Sequence, residues 1–163
     1  LVNNAGINNL GYSYDFSDED LDKIINTNLI SCLYIIRKIL PGMINRNYGR
    51  IVNISSIWSV VSKPRRYLYS VSKSGINAMT RSLAVEVSKK NILVNSVAPG
   101  FVKTELTVRN NTKKEISDIE KSIPIGRLAK PEEIAELVSF LVSEKNSYIT
   151  GQTIVIDGGY TCL

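Results

Sequence analysis

The chain has 163 residues, of which 44% are hydrophobic and 21% charged, and its net charge at pH 7 is +5. This length and balance are typical of one ordinary globular domain with a core of its own. The mild charge and the dispersed lysines and arginines argue against a nucleic-acid partner, and we count no run of about 18 apolar residues that would indicate a membrane span.

Histidine is absent and there are two cysteines. Histidine metal sites and Ser–His triads are therefore excluded, and no carboxylate cluster suggests a metal site, so we predict none. Cys32 and Cys162 do not form a disulfide framework, which favours a reduced, cytoplasmic protein.

The first elements in chain order are a strand and two helices. "LVNNAG" predicts the end of a buried strand followed by a turn, and a chain beginning there, at Leu1 and not at methionine, predicts a fragment without its N-terminal part. "SDEDLDKIINTNL" predicts a helix capped by Ser17, with acidic residues in its first turn. A second helix is expected over about 29–45. Its first half is apolar nearly all round, which is typical of a helix between a sheet and a neighbouring helix or subunit.

The rest of the chain alternates strands and helices. Strands are predicted over residues 49–56, 92–100 and 153–159, and helices over about 66–90 and from Pro131 onward. The inner face of the helix over 66–90 should carry Ile76, Met79 or Thr80, Leu83 and Val87. Apolar strands separated by helices predict a parallel sheet in a doubly wound α/β fold of three layers.

Unusual residues gather at the predicted carboxyl ends of the strands, where such sheets bind ligands. They are Asn3, Asn4, Ala5 and Gly6 after the first strand, Ser55 and Ser56 after the second, and Pro99 and Gly100 after the third. The fold can bring Tyr69 and Lys73, at the start of the next helix, to the same edge. Four residues apart on a helix, a phenol and an ammonium share one face, and the cation should lower the phenol pKa. Tyr34 and Lys38 have the same spacing but lie in mid-helix, away from any strand end.

Six motifs in this order resemble the short-chain dehydrogenase/reductase family. They are "NNAG" (3–6), "NTN" (26–28), "SS" (55–56), "YSVSK" (69–73), "VAPGFVKTE" (97–105) and "YITGQTIVIDGG" (148–159). Essentially the whole chain is covered. Within the family, the C-terminal half is similar to β-ketoacyl-acyl-carrier-protein reductases, especially in "GRIVNISS", "VNSVAPGF" and "GRLAKPEEIAELVSFL". The resemblance implies the nicotinamide and substrate portion of a Rossmann-like fold, formed by residues 1–163 as a single domain.

The resemblance also implies a role for each matching residue. Tyr69 would be the general acid, Lys73 would lower its pKa and bind the nicotinamide ribose, and Ser56 would donate to the carbonyl oxygen. Asn28 would hold a water that supplies protons through Lys73. The cofactor-binding residues would be Asn4, Ala5, Gly6, Tyr69, Lys73, Pro99, Gly100, Val102 and Thr104. Taken singly, Asn28 and Thr104 are better explained as ordinary structural residues, whereas the ordered set of motifs favours a shared site.

One family feature has no counterpart in the chain. The glycine-rich turn that binds the pyrophosphate is absent, and "GINNLG" (6–11) follows a different strand and lacks the third glycine. We therefore expect residues 1–163 alone neither to bind the cofactor tightly nor to turn over.

The implied function is hydride transfer between NADP or NAD, with NADPH slightly favoured, and a carbonyl or secondary alcohol. Reduction of a 3-oxoacyl thioester in fatty acid biosynthesis leads, with an acyl-carrier protein as a possible partner. The alternatives are a sugar, polyol or steroid dehydrogenase, or a non-catalytic scaffold. The family habit implies a homotetramer, built on the two long helices and the C-terminal segment.

Overall fold

The computed structural model describes residues 1–163, except for the side chains of Leu106, Val108 and Asn110. The strands are β1 (Val2–Asn3), β2 (Gly49–Ile54), β3 (Ile92–Pro99) and β4 (Thr153–Ile156). The helices are α1 (Asp18–Ile25), α2 (Ser31–Asn45), α3 (Tyr67–Val87), α4 (Glu105–Asn110), α5 (Lys113–Lys121) and α6 (Pro131–Val142).

The four strands form one parallel sheet in the order β1-β2-β3-β4. On one face, Ile51, Ile92 and Val94 of the sheet pack with Ile36 of α2 and Leu83 of α3. On the other face, α6 supplies the buried Leu141 and further partly buried residues that pack against Val52 and Val97. Helices therefore cover both faces, and the predicted doubly wound α/β fold is confirmed.

Helix starts follow local sequence chemistry. The Ser17 hydroxyl accepts a hydrogen bond from the backbone N–H of Asp20, as predicted for an N-cap, and Pro131 stands in the first turn of α6. On α3 the residue buried on the inner face is Thr80, at 0% exposure, while Met79 is only partly buried. The amide of Asn53 donates to the Thr80 hydroxyl at 2.9 Å, which explains how a polar group is accommodated there.

The predicted boundary between the first two helices is wrong. Residues Asn26–Ile30 form a π-helical turn that joins α1 to α2, so the helix runs without a break from Asp18 to Asn45. By length and composition alone this 28-residue helix could cross a membrane, with a mean hydropathy of 1.2 in its most apolar window. A helix that packs on the core of a globular protein passes the same test, and Ile24, Cys32 and Ile36 of this helix are buried in the fold.

Candidate active site

A cavity of about 300 Å³ opens at the carboxyl ends of the strands. All of the residues predicted for the site line it, apart from Ala5 and Asn28: they are Asn4, Gly6, Ser56, Tyr69, Lys73, Pro99, Gly100, Val102 and Thr104. The first turn of α3 starts at the same edge, so the parallel topology brings together residues that are nearly 100 positions apart in the sequence.

Tyr69 and Lys73 lie on the face of α3 that meets this cavity. Lys73 is buried, with 4% of its surface exposed, and its Nζ donates to the backbone oxygen of Ile54 at 2.7 Å. The same Nζ lies 5.7 Å from the centre of the Tyr69 ring. The ammonium is thus held against the end of β2 and the ring by one carbonyl bond and by the helical spacing.

The pKa of Tyr69 does not move in the predicted direction. Burial raises the pKa of the phenol, whereas hydrogen bonding to Ser56 and the positive charge of Arg66 act to lower it. Ser56 and Arg66, and not Lys73, are the groups that act against burial on this phenol. Burial also lowers the pKa of Lys73, because the charged ammonium is separated from water.

Ser56 links the end of β2 to the site. Its hydroxyl accepts from the backbone N–H of Trp58 at 3.2 Å and caps the short 3₁₀ turn Ile57–Ser59. The preceding Ser55 hydroxyl donates to the backbone oxygen of Lys73 at 3.2 Å. The Ser55 bond therefore fixes α3 to the end of β2, while Ser56 caps the short turn and lines the cavity.

Asn28 lies in the π-helical turn and does not line the cavity itself. Its carboxamide accepts from the backbone N–H of Ile7 at 2.8 Å and donates to the oxygen of Ile7 at 2.9 Å, so it fixes the loop after β1. A Cβ on Gly6 would lie 3.3 Å from the Nζ of Lys73 and 3.5 Å from the Oδ1 of Asn28. Gly6 thus lets the loop pass close to both side chains. Ala5, beside it, is exposed.

The segment after β3 forms the opposite edge of the cavity. A Cβ on Gly100 would lie 2.8 Å from the Cα of Asp157, so the crossing of the two chain segments requires glycine. The backbone of Lys103 then donates to Ala129 at 2.8 Å. The Thr104 hydroxyl accepts from the backbone N–H of Thr107 at 3.2 Å and caps α4. The structural interpretation of Thr104 therefore has direct support, and Thr104 also lines the cavity.

A second cavity of about 280 Å³ shares Ser56 and Tyr69 with the first. Its further lining includes Trp58, Arg66 and Phe101. The Trp58, Phe101 and Tyr160 rings pack edge to face, with centroids 5.2 to 6.1 Å apart. The sequence analysis did not single out Phe101 or Tyr160, although Phe101 directly follows the predicted Pro-Gly turn.

Arg66 departs from one expectation and agrees with another. The basic run "KPRR" predicts a solvated loop, and Lys63 and Arg65 are exposed, but Arg66 is only partly exposed. Its guanidinium lies 5.1 Å from the centre of the Trp58 ring, in the segment "IWSVVSKPRRYLYS" that is expected to form one wall of the substrate site. Arg66 is the N-cap residue of α3, three positions before Tyr69, and both side chains line the second cavity. The Arg66 side chain lies at the cavity because Arg66 is the first residue before α3, and the basic composition of "KPRR" does not indicate this.

A family model described as enoyl-(acyl carrier protein) reductase matches residues 1–161. The chain is 44% identical over 159 residues to the 3-oxoacyl-[acyl-carrier-protein] reductase FabG of Rickettsia conorii, covering 98% of this chain and 66% of that relative. The corresponding reductase of Thermotoga maritima is 42% identical and is covered to 64% of its length. The chain thus spans about two thirds of the length of the curated relatives it matches.

Solved structures match the fold closely. The structure described as ElxO with NADP bound superposes with a TM-score of 0.94 at 36% identity, covering 100% of this chain and 67% of that one. A gluconate 5-dehydrogenase from Burkholderia cenocepacia J2315, in complex with NADP and tartrate, superposes with a TM-score of 0.95 at 29% identity, covering 100% of this chain and 64% of that one.

Proposed function

Since the chain belongs to the short-chain dehydrogenase/reductase family, we propose that it carries the active site of an NAD(P)-dependent oxidoreductase. The reaction is hydride transfer between the nicotinamide and a carbonyl or secondary alcohol. The observation that carries the proposal is the convergence of Ser56, Tyr69 and Lys73 on one cavity at the carboxyl edge of the sheet.

The residues of the first cavity fit a nicotinamide riboside. Gly6 and Gly100 have no side chains, so the wall of the cavity is formed there by the backbone. Further contact surface comes from Asn4, Pro99, Val102 and Thr104. Lys73 is the one cation that lines this cavity among the residues the structure describes, and it can donate to ribose hydroxyls. The bound cofactor supplies or accepts the hydride at carbon; NADPH is the favoured form and NADH the alternative.

Tyr69 and Ser56 handle the oxygen of the substrate. In reduction the substrate oxygen gains the Tyr69 proton, which leaves a phenolate, and the carbon gains the hydride, so that a neutral alcohol results. Burial raises the pKa of Tyr69, so the phenol keeps its proton at neutral pH until the oxygen becomes basic. The Ser56 hydroxyl donates to the same oxygen and stabilises its developing charge. Asn28 fixes the loop beside Lys73 and would hold the water through which the phenolate regains a proton.

Reduction of a 3-oxoacyl thioester in fatty acid biosynthesis is the leading substrate assignment, because the reductases named FabG are similar over 98% of this chain. An acyl-carrier protein is then the partner, and the exposed Arg46 and Lys90 could contact its acidic surface. A sugar or polyol dehydrogenase is the second candidate. The second cavity favours it, since Trp58 and Arg66 are a poor match for a bare acyl chain.

Assembly and domain organisation belong to the same proposal. Residues 1–163 form one domain, the nicotinamide and substrate portion of the fold, and the protein acts in the cytoplasm as a homotetramer. Exposed apolar residues on the two long helices support the tetramer. They are Leu33, Tyr34 and Ile35 on α2 and Val71 and Val85 on α3.

The test is reduction by the whole protein, expressed from its complete gene. Acetoacetyl thioesters, oxo sugars and oxo steroids are offered with NADPH or NADH, and loss of absorbance of the reduced cofactor is followed. We expect the acetoacetyl thioester with NADPH to be used best. If no carbonyl compound oxidised either cofactor, the oxidoreductase assignment would be contradicted. Micromolar NADPH binding to residues 1–163 alone would contradict the expectation that this portion does not bind the cofactor tightly.

A further inference from the structure

Arg66 is a charged group that lines the second cavity, and none of the described residues around that cavity is acidic. Its Nε atom is buried and has no hydrogen-bond partner among the residues whose side chains the structure describes. Arg50 also has a buried, unpartnered Nε, but its Nη1 donates to the backbone oxygens of Gly49 and Asn91. No comparable bond of the Arg66 guanidinium exists within the described part of the chain. A buried donor without a partner is costly, so this one points to a ligand.

The charge around Arg66 is positive on balance. Lys63 lies with its Nζ 5.2 Å from the centre of the Trp58 ring, and Arg66 lies 5.1 Å from the same centre. Burial and the neighbouring charge of Arg66 lower the pKa of Lys63. None of the described residues that line the cavity is an aspartate or glutamate. An anion bound here would relieve the repulsion and satisfy the guanidinium.

We propose that Arg66 determines substrate specificity by binding a carboxylate that the substrate carries close to its reacting carbonyl. The inference rests on the proposed oxidoreductase function but replaces its leading substrate, the acyl thioester, with a substrate class that has a free carboxylate, an oxo acid or the corresponding hydroxy acid. A guanidinium presents two parallel N–H donors that match the two oxygens of a carboxylate.

The position of Arg66 sets how near the carboxylate must be. Arg66 and Tyr69 are three residues apart on α3 and line one cavity of about 280 Å³. A carboxylate held by Arg66 and a carbonyl oxygen at Tyr69 therefore belong to one small molecule. In a carrier-bound thioester, the phosphate is separated from the reacting carbon by the whole length of the prosthetic arm. It therefore does not explain a cation so close to Tyr69.

The experiment compares matched substrates in the whole protein. Acetoacetate and its neutral methyl ester are reduced with saturating NADPH, and the ratio of their kcat/KM values is measured for the wild type and for Arg66→Gln. We expect the variant to lose about 10- to 100-fold more on the acid than on the ester, through KM. Any influence of Arg66 on Tyr69 affects both substrates alike and cancels in the ratio. An unchanged ratio would overturn the proposal.

Two variants serve as controls. Arg65→Gln removes the same charge one residue earlier, where the side chain is exposed, and should leave the ratio unchanged. Arg66→Lys keeps the charge without the forked donors and should recover part of the preference for the acid. If Arg66→Gln does not fold, as judged by circular dichroism, the lysine variant decides, and a ratio equal to that of the wild type counts against the proposal.

A binding measurement separates this inference from the proposed function. Trp58 is the single tryptophan of the chain and lines the cavity, so its fluorescence reports ligands there. Titration with butanoate and butanamide, which cannot be reduced, uses Trp58→Phe as the background. The wild type should bind butanoate about tenfold more tightly, and Arg66→Gln should bind both equally. If the enzyme reduces no carbonyl compound, this result still decides the role of Arg66. Equal binding by the wild type would refute that role.

Discussion

The chain contains two Tyr–Lys pairs with the same spacing on two neighbouring helices, and they differ in nearly every physical respect. Tyr34 and Lys38 on α2 are exposed, and the tyrosine has 62% of its surface accessible. Lys73 on α3 is 4% exposed and lies against the Tyr69 ring, and both residues line a cavity at the ends of the strands. Helical spacing makes such a pair possible in both places, but only the sheet edge gives it a site.

The difference follows from where each helix starts. Tyr69 is in the first turn of α3, which starts at the edge of the sheet where β2 ends. The side chain of Ser56 and the backbone oxygen of Ile54, which accepts from Lys73, lie at the same edge. Tyr34 lies within the continuous helix Asp18–Asn45, on the face turned away from the sheet. The spacing of a Tyr–Lys pair therefore predicts a catalytic role only when the position of the pair in the fold is also known.

The strongest test of the comparison replaces each phenol. Tyr69→Phe removes the proton donor, and we expect kcat to fall by about 10²- to 10⁴-fold while NADPH binding is nearly unchanged. Tyr34→Phe removes an exposed hydroxyl and should leave kcat unaltered. Steady-state rates and cofactor titration in the whole protein measure both. Equal damage from the two changes would mean that Tyr69 is not the acid.

The second test replaces each lysine. Lys73→Met removes the ammonium that donates to Ile54 and faces the cavity, and a loss of about 10- to 100-fold in kcat/KM is expected. Lys38→Met should have no effect on kcat/KM, because that side chain is exposed and distant from the cavity. If Lys73→Met were as active as Lys38→Met, the proposed role of Lys73 in the site would be contradicted.

The sequence predicts the core elements well because their signals are local and strong. The apolar runs give β2 and β3, and Pro131 with two glutamates gives the start of α6. The short helices α4 and α5 were missed. α5 has the capping box formed by Thr112 and Glu115, but its two isoleucines, Ile116 and Ile119, are only partly buried, so the apolar signal of this short helix is weak.

The family motifs predict which residues line the cavity at the sheet edge, but they do not predict the pKa values of those residues. A motif gives the identity of Tyr69 and Lys73, yet the pKa of a phenol depends on burial and on every charge around it. The three basic residues of "KPRR" indicate solvent, yet both Lys63 and Arg66 lie close to the Trp58 ring. Such long-range placement has no signature in a local pattern.

The smallest expected effect tests which cation acts on Tyr69. The positive charge of Arg66 lowers the pKa of the phenol against the larger effect of burial, which raises it. Removing a cation disfavours the phenolate, so Arg66→Gln should move this pKa further upward. Oxidation of an alcohol requires the phenolate as base, and its rate should then rise at higher pH than in the wild type.

The measurement is the pH dependence of kcat for a neutral secondary alcohol, so that no carboxylate of the substrate contributes. Arg65→Gln removes an equal charge from an exposed side chain and should leave the profile where the wild type has it. If the profile moves with Lys73→Met and stays fixed with Arg66→Gln, the spacing of the Tyr–Lys pair sets the acidity after all. If it moves with Arg66→Gln, the acidity of Tyr69 depends on the N-cap residue of α3, which α2 cannot supply to Tyr34 because that residue lies in the middle of its helix.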